Sequence, residues 1–227
     1  TPATRLIIVN TPANPTGGAI DKKELDTLAA GLADRPDIAI LSDEIYSRMV
    51  YDGQTHTSLL SYPEIAERVI LLDGWSKTFA MTGWRLGFAV WPRPLVDHAI
   101  RLAVNSHSCV NASAQFAGIA ALEGPQDAVA TMVSAFSRRR RLTVDRLNAL
   151  PGIRCAEPGG AFYAFPNIEG TGISSIELQS RLLEQAGIAT VSGTAFGAFG
   201  EGYLRLSYAA SLTDIERAME RFADLLA

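Results

Sequence analysis

Lys77 follows the apolar run Arg68-Val-Ile-Leu-Leu72 and sits in the string Ser76-Lys77-Thr-Phe-Ala-Met-Thr-Gly83-Trp-Arg85-Leu-Gly87. A lysine amine has a reference pKa of about 10.4, so it attacks a carbonyl near neutrality only where burial or nearby cations favour its neutral form. Arg85 is a cation in the same string. Taken alone, a lysine after a strand reads as a solvated surface charge. A second run ends in Leu41-Ser-Asp43-Glu44-Ile-Tyr46. By themselves Asp43 and Tyr46 read equally well as a helix cap and a packing residue, or as groups that tune the protonation of something bound. Asn10-Thr-Pro12-Ala-Asn14-Pro15-Thr16-Gly17-Gly18 describes a stiff turn whose X-Pro bonds are open to a cis isomer. In Gly202-Tyr-Leu204-Arg205-Leu206-Ser207-Tyr208 one arginine interrupts an apolar strand pattern, and a buried arginine needs a partner.

The elements that must position these residues are legible in outline. Arg5 to Val9, Asp37 to Leu41 and Arg68 to Leu72 are short apolar runs without alternation, which predicts strands of a parallel sheet covered on both faces. Between the first two, Leu25, Leu28, Ala29 and Leu32 recur at helical spacing behind a capping pair, Asp21 and Glu24. The β-α-β unit favours a doubly wound α/β sheet, whose ligands bind beyond the carboxyl ends of the strands. Asn14, Asp43 and Lys77 all lie just past such ends.

From Pro125 to about Leu150 a long helix carries the apolar stripe Val129, Met132, Val133 and Phe136 and is expected to link two domains, residues 1–135 and 136–227. The second is expected to be a small α+β domain. Its strands fall near Arg154 to Cys155, Gly160 to Phe165 and Tyr203 to Tyr208. One helix opens at Ser174-x-x-Glu177 and closes at Gly187; another opens at the box Thr213-x-x-Glu216 and buries Ile215, Met219, Phe222 and Leu226. The run Arg138 to Arg141 points all around the long helix and reads as solvated or interdomain.

Taken together, these strings resemble the class I/II pyridoxal-phosphate-dependent aminotransferases, in family order and over nearly the whole chain. The resemblance implies the family's α/β fold, a mainly parallel sheet in a large domain plus a smaller α+β C-terminal domain. It implies pyridoxal 5'-phosphate as cofactor, with Lys77 forming the Schiff base, or internal aldimine. Arg85 would fork onto the cofactor phosphate, with Ser76 a further phosphate donor. Asp43 would face the pyridine nitrogen and keep it protonated, while Tyr46 and Asn14 would hydrogen-bond the phenolic oxygen, and Asn14 would also belong to the substrate site. Arg205 would grip the substrate α-carboxylate, delivered by closure of the small domain, and Pro158-Gly-Gly160-Ala-Phe162 resembles a further family strand. The implied reaction is transamination between an amino acid and a 2-oxo acid in a cytoplasmic homodimer with shared sites. The residues that contact the substrate side chain would lie partly upstream and partly on a partner subunit, in the region near Ser106 to Gln115.

Two features depart from the pattern. Many relatives carry a serine three residues before the lysine, where this chain has Gly74. The family also places a phosphate-binding glycine loop and a ring-stacking aromatic residue upstream of the matching region, so the chain is expected to be a piece of a longer one. A lyase of the same fold is the nearest enzymatic rival. An aminotransferase-like, cofactor-sensing domain of a winged-helix transcription regulator is the rival of another class, to be told apart by an upstream helix-turn-helix pattern.

Composition narrows the partners. The chain has 227 residues, 48% of them hydrophobic, and Lys plus Arg number 20 against 24 Asp plus Glu. The resulting charge of -4 gives no overall attraction to nucleic acid or anionic lipid. The apolar runs are strand-length, far short of the roughly 20 residues that span a bilayer. Cys109 and Cys155 are too few for a disulfide framework or a metal knuckle and read as buried free thiols, and no metal site is expected.

Overall fold

In the computed structural model, which describes residues 1–227, the three apolar runs form β1 (Leu6–Asn10), β2 (Ala39–Asp43) and β3 (Val69–Gly74). β1 pairs parallel with β2, and β2 parallel with β3. β4 (Gly87–Val90) adds an antiparallel edge, giving the order β1-β2-β3-β4. α1 (Lys22–Ala33) crosses from β1 to β2, and α2 (Pro63–Ala66) precedes β3. Both sides of the capping box of α1 are made: Asp21 accepts from the Glu24 amide, and the Glu24 side chain accepts from the Asp21 amide.

The chain divides into two compact units. The first comprises residues 1–12 and 19–130 and the second residues 13–18 and 131–227. In the first, Leu25, Ala29 and Leu32 of α1 pack with Val9, Ile40, Leu59, Ile65 and Val69 in one buried cluster, each large side chain worth about 1.5–3 kcal/mol. Arg68 closes the cluster from the rim, donating to the carbonyls of Leu32, Ile38 and Arg35 at 2.7, 2.7 and 2.8 Å. β1 corrects one expectation. Leu6 and Ile8 are 46% and 66% exposed, because β1 is an edge strand and no element of this unit covers the face they share. After β3 come α3 (Trp75–Thr78), then β4, α4 (Val96–His107) and α5 (Ala112–Glu123). The last two helices expose Ile100, Leu102, Val104, Phe116, Ile119 and Leu122.

α6 (Asp127–Asn148) is the long helix, and it runs across the division between the units. In the second unit β5 (Tyr163–Ala164), β6 (Val191–Ser192) and β7 (Leu204–Ser207) form an antiparallel sheet in the order β5-β7-β6. The pair Arg154 and Asn167 makes only an isolated bridge. α7 (Ser175–Ala186) is capped by Ser174 and stopped by Gly187 in the left-handed conformation, as its sequence predicts. α8 (Leu212–Leu226) starts earlier than expected: its cap is Ser211, whose hydroxyl accepts from the Asp214 amide at 3.0 Å, rather than Thr213. Ile215, Met219 and Phe222 are buried as predicted, and Leu226 is half-buried.

Two further expectations change. Cys109 is exposed, because it lies in the open segment between α4 and α5; Cys155 is buried, and burial pushes its thiol up to about 11. Arg140 is only 1% exposed, so the arginine run is not wholly solvated. No helix is long and apolar enough to cross a membrane.

Candidate active site

In the first unit the candidate residues gather at the carboxyl ends of parallel strands, because register aligns Asn10, Asp43 and Leu72. Asp43 is half-buried at the end of β2. Its carbonyl accepts from the Asn10 side chain at 3.1 Å and from the Thr11 amide at 3.3 Å, and its carboxylate accepts from the Ile45 amide at 3.3 Å. Tyr46, 3% exposed, follows in the turn. Lys77 lies half-buried in α3, immediately after β3, with Nζ 5.9 Å from the centre of the Tyr46 ring. Strand adjacency therefore brings together the amine, the phenol and the end of β2, although the residues are far apart in sequence.

Gly74, the departure from the family pattern, has a steric reason. A Cβ there would lie 2.9 Å from both Gly87 Cα and Leu86 O, since β3 and β4 pair Gly74 with Gly87. No side chain fits at this position without moving backbone, so it has no room for a hydroxyl donor. Ser76 is half-buried beside Lys77. Arg85 is exposed, sits in the left-handed region at φ 56°, and donates from Nη1 to the Thr82 carbonyl at 3.0 Å. That conformation is uncommon for a side chain with a Cβ and costs of order 1 kcal/mol or more. Arg85 lines a cavity of about 940 Å³ together with Trp84, His107, Cys109 and Asn111. Lys77 and Asp43 do not line this cavity.

Sequence reasoning missed the network behind Asp43. Glu44 is 4% exposed and accepts from Ser58 Oγ at 2.8 Å, Ser42 Oγ at 2.9 Å and the Leu59 amide at 3.2 Å, with His56 Nε2 at 2.9 Å. Burial alone would raise this carboxyl; the hydrogen bonds from His56, Ser58 and Ser42 outweigh it and hold the group below the ordinary range. Asp73 goes the other way, pushed up first by burial and further by the Glu44 charge, although the Gly74 amide bonds it at 2.6 Å. The acidic pair Asp43-Glu44 is visible in sequence, but His56 and Ser58 arrive from a loop with no distinguishing signal.

The second unit holds the other two candidates. The turn carrying Asn14 belongs here: the Ala13 amide bonds Gly18 O at 2.8 Å, the Gly17 amide bonds Ala13 O at 2.9 Å, and the Gly160 amide bonds Gly17 O at 2.9 Å. Both X-Pro bonds of the segment, Thr11-Pro12 and Asn14-Pro15, are cis. Arg205 projects from β7 between the buried Leu204 and Leu206. Its guanidinium carbon lies 4.8 Å from the Tyr163 ring centre and 5.1 Å from that of Phe196, and Nη1 donates to Asn14 Oδ1 at 3.0 Å. Nε is buried and has no hydrogen-bond partner. A guanidinium near two rings and bonded through Nη1 can still offer donors to a planar anion such as a carboxylate.

The aminotransferase class I and II family matches residues 1–222. The chain belongs to that family, whose members use pyridoxal phosphate. It is 43% identical over 228 residues to the aromatic-amino-acid aminotransferase 2 of Thermococcus litoralis, covering 100% of this chain and 58% of that protein. To the aspartate aminotransferase of Pyrococcus horikoshii it is 44% identical over 225 residues, covering 98% and 57%. The crystal structure of the aromatic aminotransferase of Pyrococcus horikoshii superimposes with a TM-score of 0.95 at 40% identity, covering 100% of this chain and 61% of that one. The chain thus spans a little under two thirds of the length of these relatives.

The residues present fit the family's cofactor. Lys77 offers an amine at a strand end beside an aromatic hydroxyl, and Asp43 offers a carboxylate on the neighbouring strand.

Proposed function

We propose that the protein containing this chain is a pyridoxal 5'-phosphate-dependent aminotransferase that moves an amino group between an amino acid and a 2-oxo acid. The observation that carries the reading is Lys77 beside Tyr46 at the carboxyl ends of adjacent parallel strands, with Asp43 closing β2. When bound, the cofactor supplies an electron sink that makes the substrate Cα–H acidic. Lys77 holds it through Nζ and, once released, carries the proton away from Cα. Asp43 holds a proton on the ring nitrogen, and Tyr46 donates to the phenolic oxygen. Ser76 and Arg85 hold the phosphate; a fixed guanidinium fork suits that group better than an ammonium. Arg205 takes the substrate α-carboxylate, with Asn14 orienting the guanidinium through their 3.0 Å bond.

A homodimer is part of the same proposal, supported by the apolar side chains that α4 and α5 expose. Mixing the purified full-length protein with cofactor, an amino acid and a 2-oxo acid tests the reading. The amino acid's nitrogen should appear in the second acid, in the amount that the first loses. Release of free ammonia or carbon dioxide instead would overturn it in favour of a lyase.

A further inference from the structure

Arg140 is the one member of the arginine run that is fully enclosed, with 1% of its side chain exposed. A buried guanidinium is tolerated only where acceptors meet it. Nη1 donates to the Pro158 carbonyl at 2.7 Å, and Nη2 lies 3.2 Å from Glu157 Oε1. Arg140 therefore fixes the backbone at Pro158 and pairs with the Glu157 side chain, both from the side of α6.

That backbone is the seat of the Asn14 turn. Gly17 has φ 70°, and a Cβ on it would lie 2.6 Å from Pro158 Cβ and 2.5 Å from Tyr163 O. Gly17 and Pro158 are thus in direct contact, and the Gly160 amide bonds Gly17 O at 2.9 Å. Three residues before Gly17, Asn14 Oδ1 receives Arg205 Nη1. Tyr163, whose carbonyl abuts Gly17, also carries the ring under the Arg205 guanidinium. Every link lies within the second unit.

We propose that Arg140 is a positioning residue for substrate recognition: by holding Pro158 and Glu157 it sets the seat of the Asn14 turn and, through Asn14, the orientation of Arg205. This rests on the reading of Arg205 as the α-carboxylate ligand. Arg140 touches no substrate. Its contribution belongs to binding, and it should leave the cofactor's attachment to unit 1 unaltered.

The test uses the full-length holoenzyme and four variants: Arg140→Met, which keeps the apolar stem and removes every donor, Arg140→Lys, Arg205→Met, and the double Arg140→Met/Arg205→Met. Arg140→Met should raise KM for both amino acid and 2-oxo acid roughly tenfold, with kcat changed less than about threefold and cofactor stoichiometry unchanged. Arg140→Lys should recover part of the loss, because one donor still reaches the Pro158 carbonyl. In the double variant the effect should be no larger than in Arg205→Met alone, since Arg140 acts through Arg205. A merely structural role would lower the active fraction and cofactor loading with KM unchanged, and that result would overturn the proposal, as would additive effects in the double variant. Should Arg140→Met fail to fold, Glu157→Gln reads the same linkage, with an expected rise in KM of roughly two- to fivefold; an unchanged KM there contradicts the proposal. If instead Arg205→Met itself leaves KM unchanged, the carboxylate reading fails first.

Discussion

Arg205 bonds Asn14 at 3.0 Å across 191 positions of chain. This contact, with the bond from the Gly160 amide to Gly17 O, groups residues 13–18 with the second unit. The guanidinium is already oriented by Asn14 and by the rings of Tyr163 and Phe196, so its geometry matters as much as its charge.

Arg205→Lys should therefore lower kcat/KM for every amino acid tested, by roughly ten- to a hundredfold, while cofactor binding stays intact. A lysine point charge keeps the attraction but not the planar fork. Steady-state kinetics over acidic, aromatic and aliphatic substrates checks this. A loss confined to one side-chain class would make Arg205 a specificity residue instead.

Asp43→Ala should retain the cofactor yet slow removal of the Cα proton by roughly a hundredfold or more, with Asp43→Glu milder. The change deletes the carboxylate proposed to hold the ring-nitrogen proton while leaving the Asp43 carbonyl to its bonds with Asn10 and Thr11. Single-turnover rates with a Cα-deuterated amino acid isolate the step. A near-normal rate would mean that the ring is tuned from elsewhere.

The two kinds of residue just used differ in how they show in sequence. Lys77, Asp43 and Arg205 sit in contiguous strings next to strand ends, so local pattern finds them. Arg140 could not be separated from Arg138, Arg139 and Arg141, because which face of α6 meets Pro158 is settled by packing rather than by the run itself. His56 and Ser58 reach Glu44 only through loop closure. An apolar run such as Leu6–Val9 records what a strand could bury and not what covers it, which is why β1 reads as covered and is exposed at Leu6 and Ile8. At α8 two overlapping caps compete, Ser211 with Asp214 and Thr213 with Glu216, and the helix begins at the earlier one.

Glu44→Gln should destabilise the protein by about 1–3 kcal/mol at neutral pH, since a buried acceptor of several hydrogen bonds loses its charge. The folded-state pKa of Glu44 is depressed, so its contribution is fully present above the unfolded carboxyl value of about 4.3 and is lost as pH falls through the folded value. The gap in Tm between wild type and variant should accordingly close on acidification below that value. A gap that is constant with pH would show that the carboxylate's charge is not what stabilises the site.

Gly74→Ser would restore the hydroxyl many relatives carry, yet it should weaken cofactor binding and destabilise the protein by about 1–3 kcal/mol. The new Cβ would meet Gly87 Cα and Leu86 O at 2.9 Å and push β4 off β3. Thermal melts and cofactor titration of the variant check this. Tighter cofactor binding at unchanged Tm would mean that the strand pair yields easily there.

The assignment of Lys77 underlies every other role, and borohydride reduction of the full-length holoenzyme followed by peptide mapping tests it most directly. The reduced cofactor should be found on the peptide spanning Ser76 and Lys77, attached at Lys77, and Lys77→Ala should lose both the label and transamination. Label on Lys22 or Lys23, or on any lysine other than Lys77, with Lys77→Ala still labelled and active, would contradict the account.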